Sequence, residues 1–346
     1  MSYRITIQPS GHVFTAEPGE TVLQAALHQG FPLPYGCRNG ACGSCKGKII
    51  QGTVDFGRHN ADTLTDAEKQ AGMALFCCAL PLSELVIESR EIGAIKDIAV
   101  RTLPCRVHRL ERAAPDVMII SLKLPTNERL QFLAGQYIDI LMKDGKRRSF
   151  SLANAPHDDE LLQLHVRNYS GGTFSERVFT SMKEKEILRF EGPLGTFFLH
   201  EDSDKPIIFV AGGTGFAPVK SMLEYIFHSD NMRGSERQMV LYWGARTKAG
   251  LYLAELAGSW QQAHDNFTFI PVLSEALPAD NWRGRKGLVH QAVLQDFDSL
   301  AGYQVYACGT PVMVAAAHKD FTQLRNLPED EFFSDMFTVS SSKPKL

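Results

Sequence analysis

The pattern of apolar and polar residues changes character along the chain, and its first part mixes strands with short helices. Apolar and polar residues alternate over residues 3–7, as in a strand with one buried face. Residues 21–28 form a short amphipathic stretch with Gly30 just beyond it, which predicts a helix and its end. Thr65 and Glu68 have the spacing of a capping box, which predicts the start of a second short helix. This part is therefore expected to be a small α+β domain.

The second part of the chain lacks helical periodicity over most of its length. Short apolar-rich stretches separated by turns with Gly and Pro predict strands. These strands are expected at residues 105–110, 118–124, 137–142, 161–166 and 187–191. Many short strands of this kind favour a small antiparallel β-barrel.

In the third part, continuous apolar runs alternate with helical stretches. The runs cover residues 206–210, 239–243, 267–272 and 303–307. Strands that are apolar on both faces and alternate with helices are typical of a doubly wound α/β domain with a parallel sheet. The predicted organisation is the small α+β domain over residues 1–92, a linker over 93–102, an antiparallel barrel over 103–200 and the α/β domain over 201–346.

Composition narrows the possible functions. The 346 residues are 44% hydrophobic and 22% charged, which suits a protein with several packed cores. No apolar run approaches the ~18 residues of a membrane span, and a net charge of −3 gives no reason to expect nucleic-acid binding. Seven cysteines, an odd number, and no signal-peptide pattern at the start predict a reducing, cytoplasmic location.

The most informative motif is a group of cysteines in the first domain. Cys37, Cys42 and Cys45 are spaced C-x4-C-x2-C, and Cys77 follows 32 positions later. This is the plant-type spacing for a [2Fe–2S] cluster held by four thiolates. On spacing alone, Cys78 could replace Cys77. Glycines at positions 36, 40 and 43 would let the loop wrap closely around the cluster. A structural zinc site is the alternative, but such sites usually bring a C-x2-C pair at both ends.

Two weaker motifs lie in the second domain. Arg148 and Ser151 stand at the end of a predicted strand, and Gly171-Gly172 precedes a predicted helix. Taken alone, such an arginine is more often a surface residue and such a glycine pair more often a turn. Together they fit a pyrophosphate site, because a helix N-terminus presents free N–H groups to an anion and an arginine adds a charged contact.

The third domain opens with a glycine-rich turn directly after its first strand. The segment Ala211-Gly212-Gly213-Thr214-Gly215-Phe216-Ala217-Pro218 predicts an anion site at a helix N-terminus. Its spacing differs from the G-x-G-x-x-G fingerprint of standard Rossmann domains. Further along, Cys308-Gly309 ends a strand before a helix that Thr310 is expected to cap. By itself Cys308 would be read as apolar core filler.

Taken together, these motifs resemble those of the ferredoxin–NADP⁺ reductase family, in its members with an N-terminal plant-type ferredoxin domain. The resemblance covers nearly the whole chain. It implies that residues 1–92 form a ferredoxin-like (β-grasp) domain, that the barrel binds FAD and that the α/β domain binds NAD(P)H. It rests on the cysteine spacing, on the similarity of Arg148-Ser149-Phe150-Ser151 to R-x-Y-[ST], on the G-x-x-S segment from Gly172 to Ser175, and on the G-G-x-G-x-x-P loop from Gly212 to Pro218. Phe150 stands where tyrosine is usual, which keeps the stacking but loses a phenol hydrogen bond.

The resemblance implies roles for particular residues. Arg148 would bind the FAD pyrophosphate, Phe150 would pack on the flavin, and Ser151 would bond near flavin N5. Cys77 would be the fourth cluster ligand, and Cys308 and Phe337 would lie at the site of hydride transfer, with Ser151. The other implied cofactor contacts are Gly171, Gly172, Thr173, Ser175, Gly212, Gly213, Thr214, Gly215, Pro218 and Gly309.

The family's activity supplies the functional hypothesis. It implies an NAD(P)H-dependent reductase that passes electrons through FAD and a [2Fe–2S] cluster to a partner enzyme, either a dehydratase or an oxygenase component. A non-enzymatic redox sensor is the alternative. Glu275 follows the third strand of the third domain, where relatives specific for NADP have an arginine, so NADH is expected to be favoured. The nearby basic residues Arg246, Arg283, Arg285 and Lys286 could reverse that preference.

Overall fold

The structure is a computed structural model that describes residues 2–228 and 236–338. It contains two compact units, one within the first 99 residues and one spanning Val100–Phe337. Residues 339–346 of the predicted third domain lie outside the described part, and the predicted domain boundaries at 92, 102 and 200 stay predictions. Within the described residues, no helix is long and apolar enough to cross a membrane.

The first unit is the predicted α+β domain. Its five-stranded sheet has the order β2-β1-β7-β3-β5, in which β1 and β7 are parallel and the other pairs antiparallel. Helix α1 buries Val22, Leu23 and Ala26 against sheet residues such as Ile5 and Phe14. The elements are β1 (Tyr3–Gln8), β2 (Val13–Ala16), α1 (Val22–His28), β3 (Lys46–Gln51), β4 (Val54–Asp55), α2 (Asp66–Gln70), β5 (Met73–Leu75), β6 (Leu80–Pro81) and β7 (Leu85–Glu88).

Both helices of this unit begin at capping boxes. The Glu68 N–H donates to Thr65 Oγ1 over 3.3 Å, and the Thr65 N–H donates to Glu68 Oε2 over 2.8 Å, as the sequence predicts. Thr21 and Gln24 make the same reciprocal pair at the start of α1. Because each box satisfies two N–H groups that a helix start otherwise leaves free, even these short helices have defined beginnings.

The second unit begins with a six-stranded antiparallel sheet of order β11-β10-β13-β8-β9-β12. The predicted antiparallel sheet is confirmed, but the prediction that it closes into a barrel is wrong. The edge strands β11 and β12 meet only at a single bridge, between Leu152 and Leu164. Beyond it the Asn154 side chain bonds to the Asp158 carbonyl and the Gln163 N–H, so the chain turns into a loop instead of extending a ladder. The elements are β8 (Arg101–Ala114), β9 (Val117–Lys123), β10 (Tyr137–Leu141), β11 (Arg147–Ser151), β12 (Leu162–Arg167), α3 (Thr173–Thr180) and β13 (Ile187–Leu194).

The rest of this unit is the predicted doubly wound domain, with a fully parallel sheet of order β17-β16-β15-β14-β18-β19. Successive side chains of β14 enter the two cores on opposite faces of the sheet. Phe209 packs with α4 and α5, and Val210 packs with α6 and α7. The elements are β14 (Ile207–Gly212), α4 (Phe216–His228), β15 (Met239–Ala245), α5 (Ala254–Ala263), β16 (Phe267–Leu273), β17 (Arg285–Lys286), α6 (Val289–Asp296), β18 (Gln304–Gly309), α7 (Pro311–Leu324) and β19 (Phe332–Met336).

The chain order reverses between β14 and β18, which lie side by side at the centre of this sheet. Open α/β sheets bind ligands in the crevice outside the carboxyl ends of strands at such a reversal. The glycine-rich turn follows β14, and Cys308-Gly309 ends β18. The topology therefore brings these two predicted motifs to one place.

Candidate cofactor sites

The four predicted cluster cysteines form two pairs. The thiol of Cys42 is hydrogen-bonded to Cys37, and the thiol of Cys45 is hydrogen-bonded to Cys77. Across residues 2–228 and 236–338, no three histidine, cysteine, aspartate or glutamate side chains are grouped so that they could hold a single metal ion. Four thiolates serve two irons in a [2Fe–2S] cluster, whereas tetrahedral zinc needs all four around one point. The two pairs supply the four thiols that a two-iron cluster requires.

In each pair the electrostatics favour one thiolate, the form that binds metal. The pKa values of Cys37 and Cys77 are lowered, whereas hydrogen bonding to these partners, and then burial, raises the pKa values of Cys42 and Cys45. Hydrogen bonding from the Cys42 thiol lowers the pKa of Cys37, and backbone N–H groups lower it further. Among these, the Ala41 N–H lies 3.4 Å from Cys37 Sγ. Hydrogen bonding from the Cys45 thiol, and then from Cys78, lowers the pKa of Cys77. The Cys45 thiol is hydrogen-bonded to Cys77, whose Sγ also lies 3.6 Å from Cys78 Sγ, so the assignment of Cys77 as the fourth ligand stays a prediction.

The cluster loop is supported by a second segment of the same unit. Gly40 adopts a φ of +75°, and a Cβ there would lie 2.8 Å from Cys78 Sγ and 2.9 Å from His59 Cα. Only glycine fits such a place without displacing its neighbours. The Asn60 N–H donates to the Gly40 carbonyl over 3.1 Å, and Thr63 Oγ1 donates to the Ala41 carbonyl over 3.0 Å. These bonds hold the loop that carries the first three cysteines.

The predicted flavin residues on β11 lie at the edge of the antiparallel sheet. Ser151 is buried, and its Oγ has no hydrogen-bond partner among the described residues. Because buried polar atoms are nearly always satisfied, this hydroxyl indicates a missing partner. The Phe150 ring lies 5.2 Å from that of Phe174, at the start of α3. Arg148 is half-buried and donates to the Arg147 carbonyl, whereas the Arg147 guanidinium is already paired with Glu191 at 2.5 Å.

The N-terminus of α3 is the predicted anion site, and that role stays a prediction. Gly172 occupies the N-cap position, and no side chain caps the helix, so its first N–H groups stay free. Gly171 has a φ of +79°, and a Cβ added to it would meet no atom within 4 Å. The Ser175 hydroxyl donates to the Gly172 carbonyl over 3.0 Å and thus supports the turn. The predicted contacts of Thr173 and Ser175 with flavin stay predictions.

The glycine-rich turn is held tightly against the end of β18. Gly213–Gly215 forms a 3-10 turn between β14 and α4. A Cβ at Gly215 would lie only 2.1 Å from the Cys308 carbonyl oxygen, so the close approach requires glycine. The Gly213 carbonyl accepts a 2.9 Å hydrogen bond from Trp243 Nε1. Pro218 lies in the first turn of α4, where its missing N–H costs no helical bond.

Cys308, Gly309 and Phe337 meet beside this turn. Cys308 is fully buried, and its pKa is raised by burial and then by Asp335, so the thiol is neutral. The Phe337 N–H donates to the Gly309 carbonyl over 2.8 Å, and its half-buried ring packs against the core that contains Cys308. Thr310 stands at the N-cap of α7, but the predicted side-chain cap is wrong, because its hydroxyl makes no capping bond.

Arg167 is a further candidate that the sequence analysis did not single out. It ends β12 of the antiparallel sheet, yet its Nη1 lies 2.5 Å from where a Cβ of Gly213 would stand. Its Nε lies 3.2 Å from Asp116 Oδ2 without hydrogen-bond alignment, so this buried donor is unsatisfied. Arg167 therefore brings positive charge from the antiparallel sheet to the Gly213–Gly215 turn. Because this sheet carries the predicted flavin residues, it is named the flavin-side sheet. An arginine at the end of an apolar strand just before Gly171-Gly172 is the signal that could have found it.

Comparison with known proteins agrees with this arrangement. The chain matches the 2Fe-2S iron-sulfur cluster binding domain over residues 5–82, the oxidoreductase FAD-binding domain over 104–199 and the oxidoreductase NAD-binding domain over 209–319. It is 40% identical to the CDP-6-deoxy-L-threo-D-glycero-4-hexulose-3-dehydrase reductase of Yersinia pseudotuberculosis, over 98% of this chain and all of that protein. The chain belongs to the iron–sulfur flavoprotein reductases.

Other members of these reductases serve different systems. The chain is 36% identical to DmpP, the reductase component of phenol 2-monooxygenase from a Pseudomonas species, over 98% of this chain and 96% of that one. The crystal structure of the cytochrome P450 reductase GcoB from Amycolatopsis superposes with a TM-score of 0.79 at 32% identity, covering 98% of this chain and all of GcoB. The predicted family and enzyme class are confirmed. The protein is an NAD(P)H-dependent electron-transfer oxidoreductase with [2Fe–2S] and FAD cofactors.

Proposed function

We propose that the protein takes electrons from NADH and delivers them singly, through FAD and the [2Fe–2S] cluster, to a partner enzyme. FAD, when bound, accepts a hydride from nicotinamide and releases its two electrons one at a time. The observation that carries the proposal is that three parts of the chain lie together: the Gly213–Gly215 turn, the end of β18, and Arg167 from the flavin-side sheet.

On the flavin side, the chain's own residues bind and orient the cofactor. Arg148 and the free N–H groups at the start of α3 supply charge and donors for the pyrophosphate. The unpartnered Ser151 hydroxyl would donate a hydrogen bond to the flavin, and Phe150 would pack beside the flavin ring. On the nucleotide side, the turn and Arg167 bind phosphate. Cys308 shapes the nicotinamide pocket as a neutral group, and Phe337 excludes water from it.

The preference for NADH over NADPH is part of the proposal. Glu275 is largely exposed just after β16, and its Oε1 lies 3.8 Å from Arg246 Nε. Arg285, one of the basic residues that could favour NADPH, is paired with Asp296 instead. A carboxylate at Glu275, with Arg246 partly neutralised by it, repels the 2′-phosphate of NADPH.

The partner is proposed from the relatives. One supplies a dehydrase and another a monooxygenase, by their names. The higher identity and full coverage of the dehydrase reductase favour a dehydratase over an oxygenase component as the acceptor. All seven cysteines are free, which supports the proposed cytoplasmic location.

Steady-state turnover with two acceptors tests the electron route. Purified protein with NADH should reduce ferricyanide and cytochrome c repeatedly, which a redox sensor would not do. Cys42→Ser should lose the cluster and most cytochrome c reduction while it retains FAD and ferricyanide reduction. Equal loss of both activities in a variant that still holds FAD would contradict an electron route that passes from flavin to cluster.

A further inference from the structure

Two adjacent residues of α4 join the flavin-side sheet to the nucleotide-binding domain. The Lys220 ammonium donates to the Ala153 carbonyl over 3.1 Å, and the Ser221 hydroxyl donates to the Asn154 carbonyl over 2.7 Å. Both side chains are buried, with Ser221 fully inaccessible. We call these two hydrogen bonds the domain bridge.

Each end of the domain bridge lies close to one reacting partner. Ala153 and Asn154 follow Ser151, the residue with the unpartnered hydroxyl on the flavin side, by two and three positions. Lys220 and Ser221 follow Pro218 by two and three positions and lie about one and a half helical turns beyond the Gly213–Gly215 turn. The bridge is therefore a short covalent and hydrogen-bonded path between the segment that orients the flavin and the helix that receives the nucleotide.

Both ends of the bridge are themselves fixed. Lys220 Nζ lies 2.7 Å from Glu224 Oε2, one turn further along α4, so the direction of the lysine side chain is set by a partly buried ion pair. On the other side, Asn154 Oδ1 accepts a 2.8 Å bond from the Gln163 N–H, which ties the segment to β12. Another cross-domain bond, 2.8 Å between His165 Nδ1 and the Tyr252 hydroxyl, lies further along β12. Because both ends are held in place, the domain bridge fixes the distance between the segment with Ala153 and Asn154 and helix α4.

We propose that Lys220 and Ser221 are positioning residues for hydride transfer, which set the placement of nicotinamide relative to flavin without touching either. This inference rests on the proposed function. Hydride transfer needs the reacting atoms within ~3–3.5 Å, and a displacement of ~1 Å costs about 10²-fold in rate. Binding of either cofactor depends on other residues, so loss of the bridge should slow the hydride step and leave both affinities nearly unchanged.

Rapid-mixing kinetics of Ser221→Ala test the proposal. The rate constant for flavin reduction by NADH should fall about ten-fold, while FAD content and the apparent Kd for NADH change less than two-fold. The charge-transfer absorbance between reduced flavin and NAD⁺ should weaken, since it reports their stacking. Amide hydrogen exchange at residues 152–155 should be faster in Ser221→Ala than in the parent. Ser259→Ala is the matched control, because Ser259 also donates to a carbonyl, that of Leu256, but on the exposed side of α5.

The lysine provides an independent variant. Lys220→Met should slow the hydride step as Ser221→Ala does, and Lys220→Arg should restore most of the rate because it keeps a charged donor. A parental hydride rate in Ser221→Ala and Lys220→Met would overturn the positioning role. So would a rate loss that is matched by loss of FAD and of melting temperature, since that indicates only a folding effect. If the unsubstituted protein is itself not reduced by NADH, the proposed function fails instead.

Discussion

Replacing Gly215 with alanine tests whether the glycine-rich turn must lie against the end of β18. The added Cβ would stand 2.1 Å from the Cys308 carbonyl oxygen and 2.6 Å from its carbon, and both are backbone atoms that cannot rotate away. Reaching even the shortest tolerated contact requires the turn to move by about 1 Å, and a misplacement of ~1 Å in a hydride step costs about 10²-fold. That loss corresponds to about 2.7 kcal/mol of activation free energy.

Stopped-flow reduction of the bound flavin by saturating NADH measures this loss directly. Gly215→Ala should reduce its flavin about a hundred-fold more slowly than the parent, with FAD and iron content unchanged. Gly258→Ala is the matched control, because a Cβ at that position of α5 meets no atom within 4 Å, and alanine favours a helix. A parental rate in Gly215→Ala would refute the assignment of this turn to the nicotinamide nucleotide.

Two further predictions concern the other cofactor contacts. Arg148→Ala should weaken FAD binding by about 1.5–3 kcal/mol, the range for a charged hydrogen bond, as measured by equilibrium dialysis. Arg147→Ala is the control and should not weaken it, since Glu191 already pairs with that guanidinium. Equal affinities in the two variants would mean that the flavin motif has been misassigned. Glu275→Gln should raise kcat/KM for NADPH several-fold, because it removes ~1 kcal/mol of repulsion between the carboxylate and the 2′-phosphate, and should change kcat/KM for NADH little. A parent protein that already prefers NADPH would contradict the proposed specificity.

Features encoded locally could be predicted from the sequence. The cysteine spacing and the glycine-rich turn after β14 are such features, because neighbouring residues determine whether a loop can wrap a cluster or a phosphate. Barrel closure was not predicted correctly, because it depends on how far the two edge strands pair with each other, and a single bridge between Leu152 and Leu164 joins them. Arg167 and the domain bridge were missed for the same reason. Their partners, Gly213 for Arg167 and Ala153 for Lys220, are distant in sequence and adjacent only after the two domains pack.

An anaerobic NADH titration of the purified protein, followed by visible absorbance and electron paramagnetic resonance, tests the central claim most directly. The protein should contain about two irons and two sulfides per chain. Added NADH should bleach the flavin, and the signal of a reduced [2Fe–2S] cluster should then grow. Stoichiometric zinc in place of iron would contradict the cluster assignment, and a cluster that dithionite reduces but NADH does not would contradict the proposed electron route.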